Sequence, residues 1–152
     1  MTSYVTRLGK TIEADEAFHA WTSGDLGRMR RALSIPTNLI DRHFLLMGIV
    51  QLTYKNRSDP SVRRLCKEVG RQHLAEFDAI APALRREMRG FLPRVPTFQL
   101  LATILAEDGE LTDAIAVCER ALRWDLRDGT KGGFAARSAR LHRKLSPTVR
   151  DA

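Results

Sequence analysis

The stretch FQLLATILAEDGELTDAIAVCERALRWDL, residues 98–126, contains the most regular pattern in the chain. Its first half repeats apolar residues at intervals of three and four, which places them on one face of an α-helix. Residues 107–110 then interrupt the pattern with a glycine, and a second run with helical spacing follows. A turn this short forces its two helices to lie side by side and antiparallel. The stretch therefore predicts a helical hairpin.

Upstream of this hairpin, glycine, aspartate and proline mark the boundaries of further helices. A first helix is predicted over residues 11–22, because Gly24-Asp25 suits a C-terminal cap followed by the next N-cap. A short second helix ends before the proline at position 36. The third, over residues 38–56, is apolar on most sides and is expected to be buried. Asp59-Pro60 then starts a fourth helix, since proline fits the first helical position.

The remaining segments are also predicted to be helical. A shorter helix is expected over Ala81 to Arg89, and a final helix over Phe134 to Leu145 follows a glycine-rich connector. The final helix directs its basic residues to water, namely Arg137, Arg140, Arg143 and Lys144. Such a helix is suited to cap a stack, which needs one polar outer side. Since long alternating runs and Asn-Gly turns are absent from the sequence, the predicted fold class is all-α.

Length and composition predict one globular domain without a membrane partner. A chain of 152 residues suits a single domain, and no apolar run approaches the length of a bilayer span. The first ten residues lack the apolar core of a signal peptide, so a cytoplasmic location is expected. Cys66 and Cys118 lie on apolar sides of predicted helices, which favours two buried free thiols. The net charge of +7 favours acidic partners, including nucleic acid.

The sequence offers no constellation of catalytic or metal-binding residues. Its four histidines lie on four different predicted helices, without the local spacing of a zinc site. No serine has the surroundings of an activated nucleophile. Thr130 and Lys131, in the connector before the last helix, form the one candidate anion site, together with backbone amides at the start of that helix. We therefore expect no cofactor, no metal and no enzymatic activity.

The hairpin at residues 98–126 resembles one tetratricopeptide repeat. Eight residues match its pattern of large and small positions: Phe98, Leu101, Ala102, Leu105, Gly109, Ala114, Cys118 and Ala121. Small residues at these positions let two helices touch, and large residues fill the space between them. Leu126 departs from the pattern, because the family usually has proline there.

The resemblance implies a right-handed α-α superhelix of stacked antiparallel helix hairpins. The clearest repeat would span residues 96–126, with degenerate hairpins at 11–34 and 38–78 and a capping helix at 133–146, all within one domain over 1–152. Several repeats are needed to bury a continuous core, and this number of hairpins satisfies that need. Because the spacing between the hairpins is irregular, a modified helical bundle is the alternative architecture.

Members of this family usually bind a peptide or another protein in an inner groove. Carried over by register, the groove residues would be Gln99, Thr103 and Glu107 from the clearest repeat, and Gln51, Tyr54 and Lys55 from the degenerate one. The resemblance thus implies a non-catalytic scaffold for a protein partner. The alternative is nucleic-acid binding through arginines on the fourth and last helices. An unpaired end of a short stack would also suit a homodimer.

Overall fold

A computed structural model describes residues 2–145, and this part of the chain is mostly helical. It contains seven helices and one two-stranded sheet, in the order β1 (Tyr4–Arg7), β2 (Lys10–Glu13), α1 (Glu16–Ser23), α2 (Leu26–Ala32), α3 (Leu39–Lys55), α4 (Pro60–Glu87), α5 (Pro96–Glu107), α6 (Leu111–Arg123) and α7 (Gly133–Leu145). Contacts divide the chain into two compact units, Met1–Pro93 and Arg94–Ala152, called unit 1 and unit 2 below. Within residues 2–145, no helix is both long enough and apolar enough to cross a bilayer. The prediction of a mostly helical protein is confirmed, whereas the single domain stays a prediction.

The N-terminal segment differs from the prediction, because residues 10–13 form a strand rather than the start of a helix. β1 and β2 pair as an antiparallel hairpin, with Arg7 opposite Lys10. Leu8 and Gly9 connect them, and both have positive φ, as a type I′ turn requires. Helix α1 begins only after Asp15, whose side chain accepts the amide proton of Phe18. The missed signal is a short alternating run on each side of a glycine-containing turn.

Helices α3 and α4 form the centre of unit 1 and pack against each other more extensively than any other pair of elements. The predicted bounds of α3 are confirmed, as are the N-cap at Asp59 and the proline at the first turn of α4. The separate helix predicted from Ala81 is wrong, because α4 continues through Pro82 to Glu87. A proline inside a helix removes one backbone hydrogen bond. Here the buried stripe continues on both sides of it, from Phe77 to Leu84, and this packing keeps the helix intact.

A buried carboxylate, that of Asp41 on α3, joins the hairpin to the helices of unit 1. Arg7 donates to its two oxygens over 2.8 and 3.3 Å. The indole of Trp21 donates to Oδ1 over 3.0 Å, and the amide of Asn38 donates to Oδ2 over 2.6 Å. Burial opposes the ionised form of Asp41, but these donors outweigh it and hold the pKa of the carboxyl below its usual value. The hairpin, α1 and α3 therefore meet at one residue.

A pair of buried histidines lies between α3 and α4. His43 and His73 are 1% and 0% exposed, and Nδ1 of His43 lies 2.9 Å from Nε2 of His73. A hydrogen bond at this distance requires one nitrogen to donate and the other to accept, so at least the ring that accepts is neutral when it forms. Burial lowers the pKa of His43 to about 4. Burial also lowers the pKa of His73, and the charges of His43 and Arg42 lower it further.

We predict that unit 1 loses stability as the pH falls below about 6.5, the pKa of an unfolded histidine. Because both imidazoles have lowered pKa values in the folded chain, the unfolded chain takes up these protons first. The loss from His43 alone approaches about 3 kcal/mol near pH 4. Urea unfolding of a Trp124→Phe variant, followed through the fluorescence of Trp21, measures the free energy of unfolding of unit 1. The double variant His43→Leu/His73→Leu should lose most of this dependence, and His142→Gln should retain it. A free energy of unfolding that is constant from about pH 7.5 to 4.5 would contradict the prediction.

Unit 2 consists of α5, α6 and α7, and its first two helices form the predicted hairpin. Two backbone hydrogen bonds close the α5–α6 turn. The amide of Glu110 donates to the carbonyl of Leu105, and the amide of Gly109 donates to the carbonyl of Ala106. With Gly109 at φ 78°, this is a Schellman cap. The three small residues expected at the helix contacts, Ala102, Ala114 and Ala121, are all buried. The capping helix, predicted over 133–146, is present as α7, and residue 146 lies outside the described residues.

Leu126 closes the end of α6 through its backbone amide. The amide of Leu126 donates to the carbonyl of Ala121 over 2.9 Å, and that of Asp125 donates to the carbonyl of Leu122 over 3.0 Å. Proline lacks the donor that the first of these bonds requires. Asp125 occupies the left-handed position of this second Schellman cap, at φ 56°. Leu126 itself is 6% exposed and completes the core at this end of the helix.

We predict that Asp125→Gly raises the free energy of unfolding of unit 2 by about 1 kcal/mol, because glycine adopts positive φ without steric cost. Urea unfolding of a Trp21→Phe variant, followed through Trp124, measures this change. Asp113→Gly in the first turn of α6 is the matched control and should destabilise the unit. If Asp125→Gly is less stable, the aspartate side chain stabilises unit 2 by more than its left-handed backbone conformation destabilises it.

Candidate functional site

A groove of about 260 Å³ opens between α5 and α7 of unit 2. Its apolar lining comes from Ala102 and Ala106 on α5 and from Leu141 on α7. Its polar lining is Thr103, Glu107, Arg137, Arg140 and Lys144. Ala102 and Leu141 are buried, whereas Arg140 and Lys144 are exposed. The groove therefore has an apolar base and a rim that is mostly basic.

The basic side of the groove follows from helical spacing on α7. Arg137, Arg140, Leu141 and Lys144 are separated by three and four residues, so they share one face of the helix. From Gly133 to Leu145, α7 contains no acidic residue that would offset these charges. Its basic residues were predicted to point to water, and their part in a groove was missed. The missing information was which helix would lie opposite.

A buried carboxylate, that of Asp128, positions the first of these basic residues. Arg137 donates through Nε and Nη2 to Oδ2 of Asp128 over 3.2 and 3.1 Å. Its Nη1 reaches Oγ1 of Thr103 on α5, 3.2 Å away. The Asp128 side chain is fully buried, and that of Arg137 is 16% exposed. Arg137 thus links α7 to α5 at the groove and is already paired with a carboxylate.

The other oxygen of Asp128 orders the connector that leads into α7. Thr130 donates to Oδ1 through its amide over 2.9 Å and through its hydroxyl over 2.6 Å. Arg94 donates to the Asp128 carbonyl over 3.0 Å and packs over Gly129, which has φ 81°. Burial opposes ionisation of Asp128, but the bonds from Thr130 and Arg137 outweigh it and lower the pKa of the carboxyl.

Two of the three groove residues predicted from the clearest repeat line this groove. Thr103 and Glu107 contribute to its α5 side. Gln99 lies one turn earlier, where its carbonyl accepts the hydroxyl proton of Thr103 over 2.8 Å, and it is outside the lining. The role of Gln99, Thr103 and Glu107 in binding a partner stays a prediction.

The residues predicted from the degenerate repeat lie in unit 1, near the end of α3. Gln51 and Tyr54 are half-buried, and Lys55 is the exposed last residue of the helix. The guanidinium of Arg57 lies 3.9 Å from the centre of the Tyr54 ring. One face of this ring is therefore covered by a cation from its own chain. The role of these three residues in a groove stays a prediction.

The predicted anion site at Thr130 and Lys131 already has an internal anion as a neighbour. The amide and hydroxyl of Thr130 both donate to Asp128, and its hydroxyl oxygen accepts the amide proton of Gly133. Lys131 is exposed. An external anion at this connector would have to compete with the Asp128 carboxylate for the same donors. The role of this pair in binding an anion stays a prediction.

The chain matches no protein-family model, no curated protein and no solved structure. The groove and its charges are therefore the basis for any functional conclusion.

The two cysteines of the chain are buried and free, as the sequence predicted. Burial raises the pKa of Cys66, and it raises the pKa of Cys118 to about 11. A thiol with so high a pKa is protonated at neutral pH and is a poor nucleophile. Among residues 2–145, no group of three or more His, Cys, Asp or Glu side chains is placed to hold a metal ion.

We predict that Asp128→Ala lowers the free energy of unfolding of unit 2 by about 3 kcal/mol, because it leaves Arg137 buried without its partner. The variant also removes the acceptor that orders Thr130. Urea unfolding in the Trp21→Phe background, followed through Trp124, measures the change. Glu119→Ala, which removes an exposed carboxylate from α6, should change stability by less than about 0.5 kcal/mol. Equal effects of the two substitutions would refute a special role for Asp128.

Proposed function

We propose that this chain is a non-catalytic scaffold that binds an acidic segment of another protein in the groove between α5 and α7. The observation that carries the proposal is the basic row of Arg137, Arg140 and Lys144 beside an apolar base. An extended peptide with alternating acidic and apolar side chains suits both surfaces. A site of this kind positions a partner and needs no reactive group.

The packing of unit 2 supports a tetratricopeptide-repeat-like arrangement. Helix α6 contacts both α5 and α7. The groove is lined by α5 and α7, as expected if these are the inner helices of successive repeats and α6 is the outer helix of the first. We propose that α7 is the first helix of a partial next repeat. We propose superhelical stacking of helix hairpins for unit 2 on the same grounds.

The charged residues of the groove differ in the role that each would have in binding. Since Arg137 is paired with Asp128, it fixes the wall of the groove more than it attracts a ligand. Arg140 and Lys144 are exposed on the rim and are the cations that would meet ligand carboxylates. Glu107 lies on the α5 side and would repel a carboxylate placed next to it. An acidic segment is therefore expected to lie with its carboxylates along α7, which specifies its register.

The same charges also bear on the nucleic-acid alternative. Phosphates would be attracted to α7, but binding of single strands usually adds aromatic rings on which bases stack. The eight residues that line the groove include no aromatic ring. An apolar base made of alanine and leucine side chains suits aliphatic side chains of a peptide better than it suits bases. We therefore favour the peptide.

We predict that Arg140→Glu/Lys144→Glu weakens binding of an acidic peptide by at least about tenfold, because it reverses two charges on the rim. Fluorescence anisotropy with a labelled peptide of alternating glutamate and leucine measures the affinity, and a lysine–leucine peptide tests the sign of charge. Arg143→Glu, which reverses one charge on α7 outside the lining, is the matched control for the single variant Arg140→Glu.

Three results would oppose the proposal. Equal losses of affinity for Arg143→Glu and for Arg140→Glu would indicate attraction by the whole helix instead of a groove. Equal binding of the glutamate and lysine peptides would show that charge does not select the ligand. Tighter binding of a labelled single-stranded RNA than of the acidic peptide, at the same salt concentration, would favour the nucleic-acid alternative.

A further inference from the structure

A group of exposed apolar residues lies in unit 1, at the end where the β-hairpin turn meets the end of α4. We define the apolar corner as Leu8, Met88 and Phe91, whose exposures are 36%, 39% and 77%. The amide of Leu8 donates to Oε2 of Glu87 over 2.6 Å, which holds the hairpin turn against the last turn of α4. Phe91 has the highest exposure of the large apolar side chains that the structure describes.

The backbone on both sides of this corner is ordered by hydrogen bonds. The amide of Gly90 donates to the carbonyl of Arg85 over 2.7 Å, and that of Arg89 donates to the carbonyl of Arg86 over 3.3 Å. Together they form a Schellman cap in which Arg89 adopts φ 58°. Leu8 has φ 51° in its own turn. Two non-glycine residues with positive φ thus hold turns that present apolar side chains to solvent.

Basic residues flank the apolar corner. Lys10, Arg86 and Arg89 are exposed and lie within three residues of one of its members along the chain. The neighbouring acidic residue, Glu87, accepts the Leu8 amide proton. The corner therefore combines projecting apolar side chains with an excess of positive charge. This combination is typical of surfaces that bind anionic membranes.

We propose that the apolar corner binds the surface of an anionic phospholipid membrane. Leu8, Met88 and Phe91 would enter the boundary between headgroups and acyl chains, while Lys10, Arg86 and Arg89 would contact lipid phosphates. The expectation of no membrane partner rested on the lack of a spanning segment, and binding at the surface needs none. This site is in unit 1 and does not depend on the groove of unit 2.

Shape and residue type favour a membrane over a nucleic acid or a folded protein as the partner of this corner. A single-stranded nucleic acid would need rings for stacking, and Phe91 is the only ring in the corner, beside two aliphatic side chains. A folded protein partner would need a complementary hollow for two separate turns. A lipid surface accepts projecting apolar side chains without such a match.

The test is co-sedimentation of the full chain with vesicles, made of phosphatidylcholine alone or with about 30% phosphatidylserine. We expect binding to the anionic vesicles only, weakening as salt rises. Phe91→Ser should lower the partition coefficient about tenfold, because a buried ring is lost from the membrane. Arg86→Gln/Arg89→Gln should also lower it and should reduce its dependence on salt. The control is Ile35→Ser, which removes another exposed apolar side chain, at 40% exposure, from a different part of unit 1.

Other results would overturn the proposal. If Phe91→Ser binds anionic vesicles as well as the unchanged chain does, the apolar corner does not enter the membrane. Equal losses of vesicle binding in Phe91→Ser and Ile35→Ser would also show that binding is not specific to the apolar corner. If the chain does not bind vesicles but binds labelled single-stranded RNA, and Phe91→Ser weakens that RNA binding, the partner is nucleic acid. Trp21 fluorescence and urea unfolding of each variant show whether a loss of binding reflects a loss of folding.

Discussion

The carboxylate of Asp128 is the interaction on which the geometry of unit 2 depends. It is a buried charge, which is tolerated in a protein only when strong donors surround it. The donors come from Thr130 in the connector and from Arg137 on α7. Because Arg137 also reaches Thr103 on α5, one carboxylate determines how the connector turns and where α7 lies against α5. The width of the groove follows from that placement.

Unit 1 uses a second buried carboxylate in a similar way. Asp41 receives donors from the hairpin, from α1 and from the cap of α3, which are far apart in the sequence. Its arginine partner, Arg7, is 34 residues away along the chain. A buried ion pair adds little net stability, but breaking it is costly, so it selects one arrangement among several that would bury similar apolar area. In both units, therefore, apolar packing supplies the stability and a buried carboxylate selects the geometry.

The features that the sequence predicted correctly are those that depend on residues close together in the chain. Helical periodicity, the caps at Asp25 and Asp59 and the turn at Gly109 are local, and the structure contains them. The features that it missed depend on distant residues. The pairing of His43 with His73 spans 30 residues, and the contact of Arg137 with Thr103 spans 34. Pro82 was read as a boundary because local propensity opposes a helix there, whereas packing on both sides maintains it. The register of the repeat pattern predicted Thr103 and Glu107 as groove residues, and it gave no information about the basic side chains of α7 opposite them.

The distribution of charge, more than its total, gives this chain its candidate binding surfaces. The formal excess of +7 is spread over 152 residues and by itself predicts only a general attraction to anions. Among the described residues of unit 2, the acidic side chains lie on α5, α6 and the connecting segments, while α7 carries none from Gly133 to Leu145. The two buried carboxylates each neutralise one arginine, so Arg7 and Arg137 act within the fold. Four basic residues on the surface lie next to apolar side chains, namely Arg140 and Lys144 beside the groove and Arg86 and Arg89 beside the apolar corner. A ligand that satisfies both features must itself combine negative charge with apolar surface, which an acidic amphipathic peptide and an anionic membrane both do.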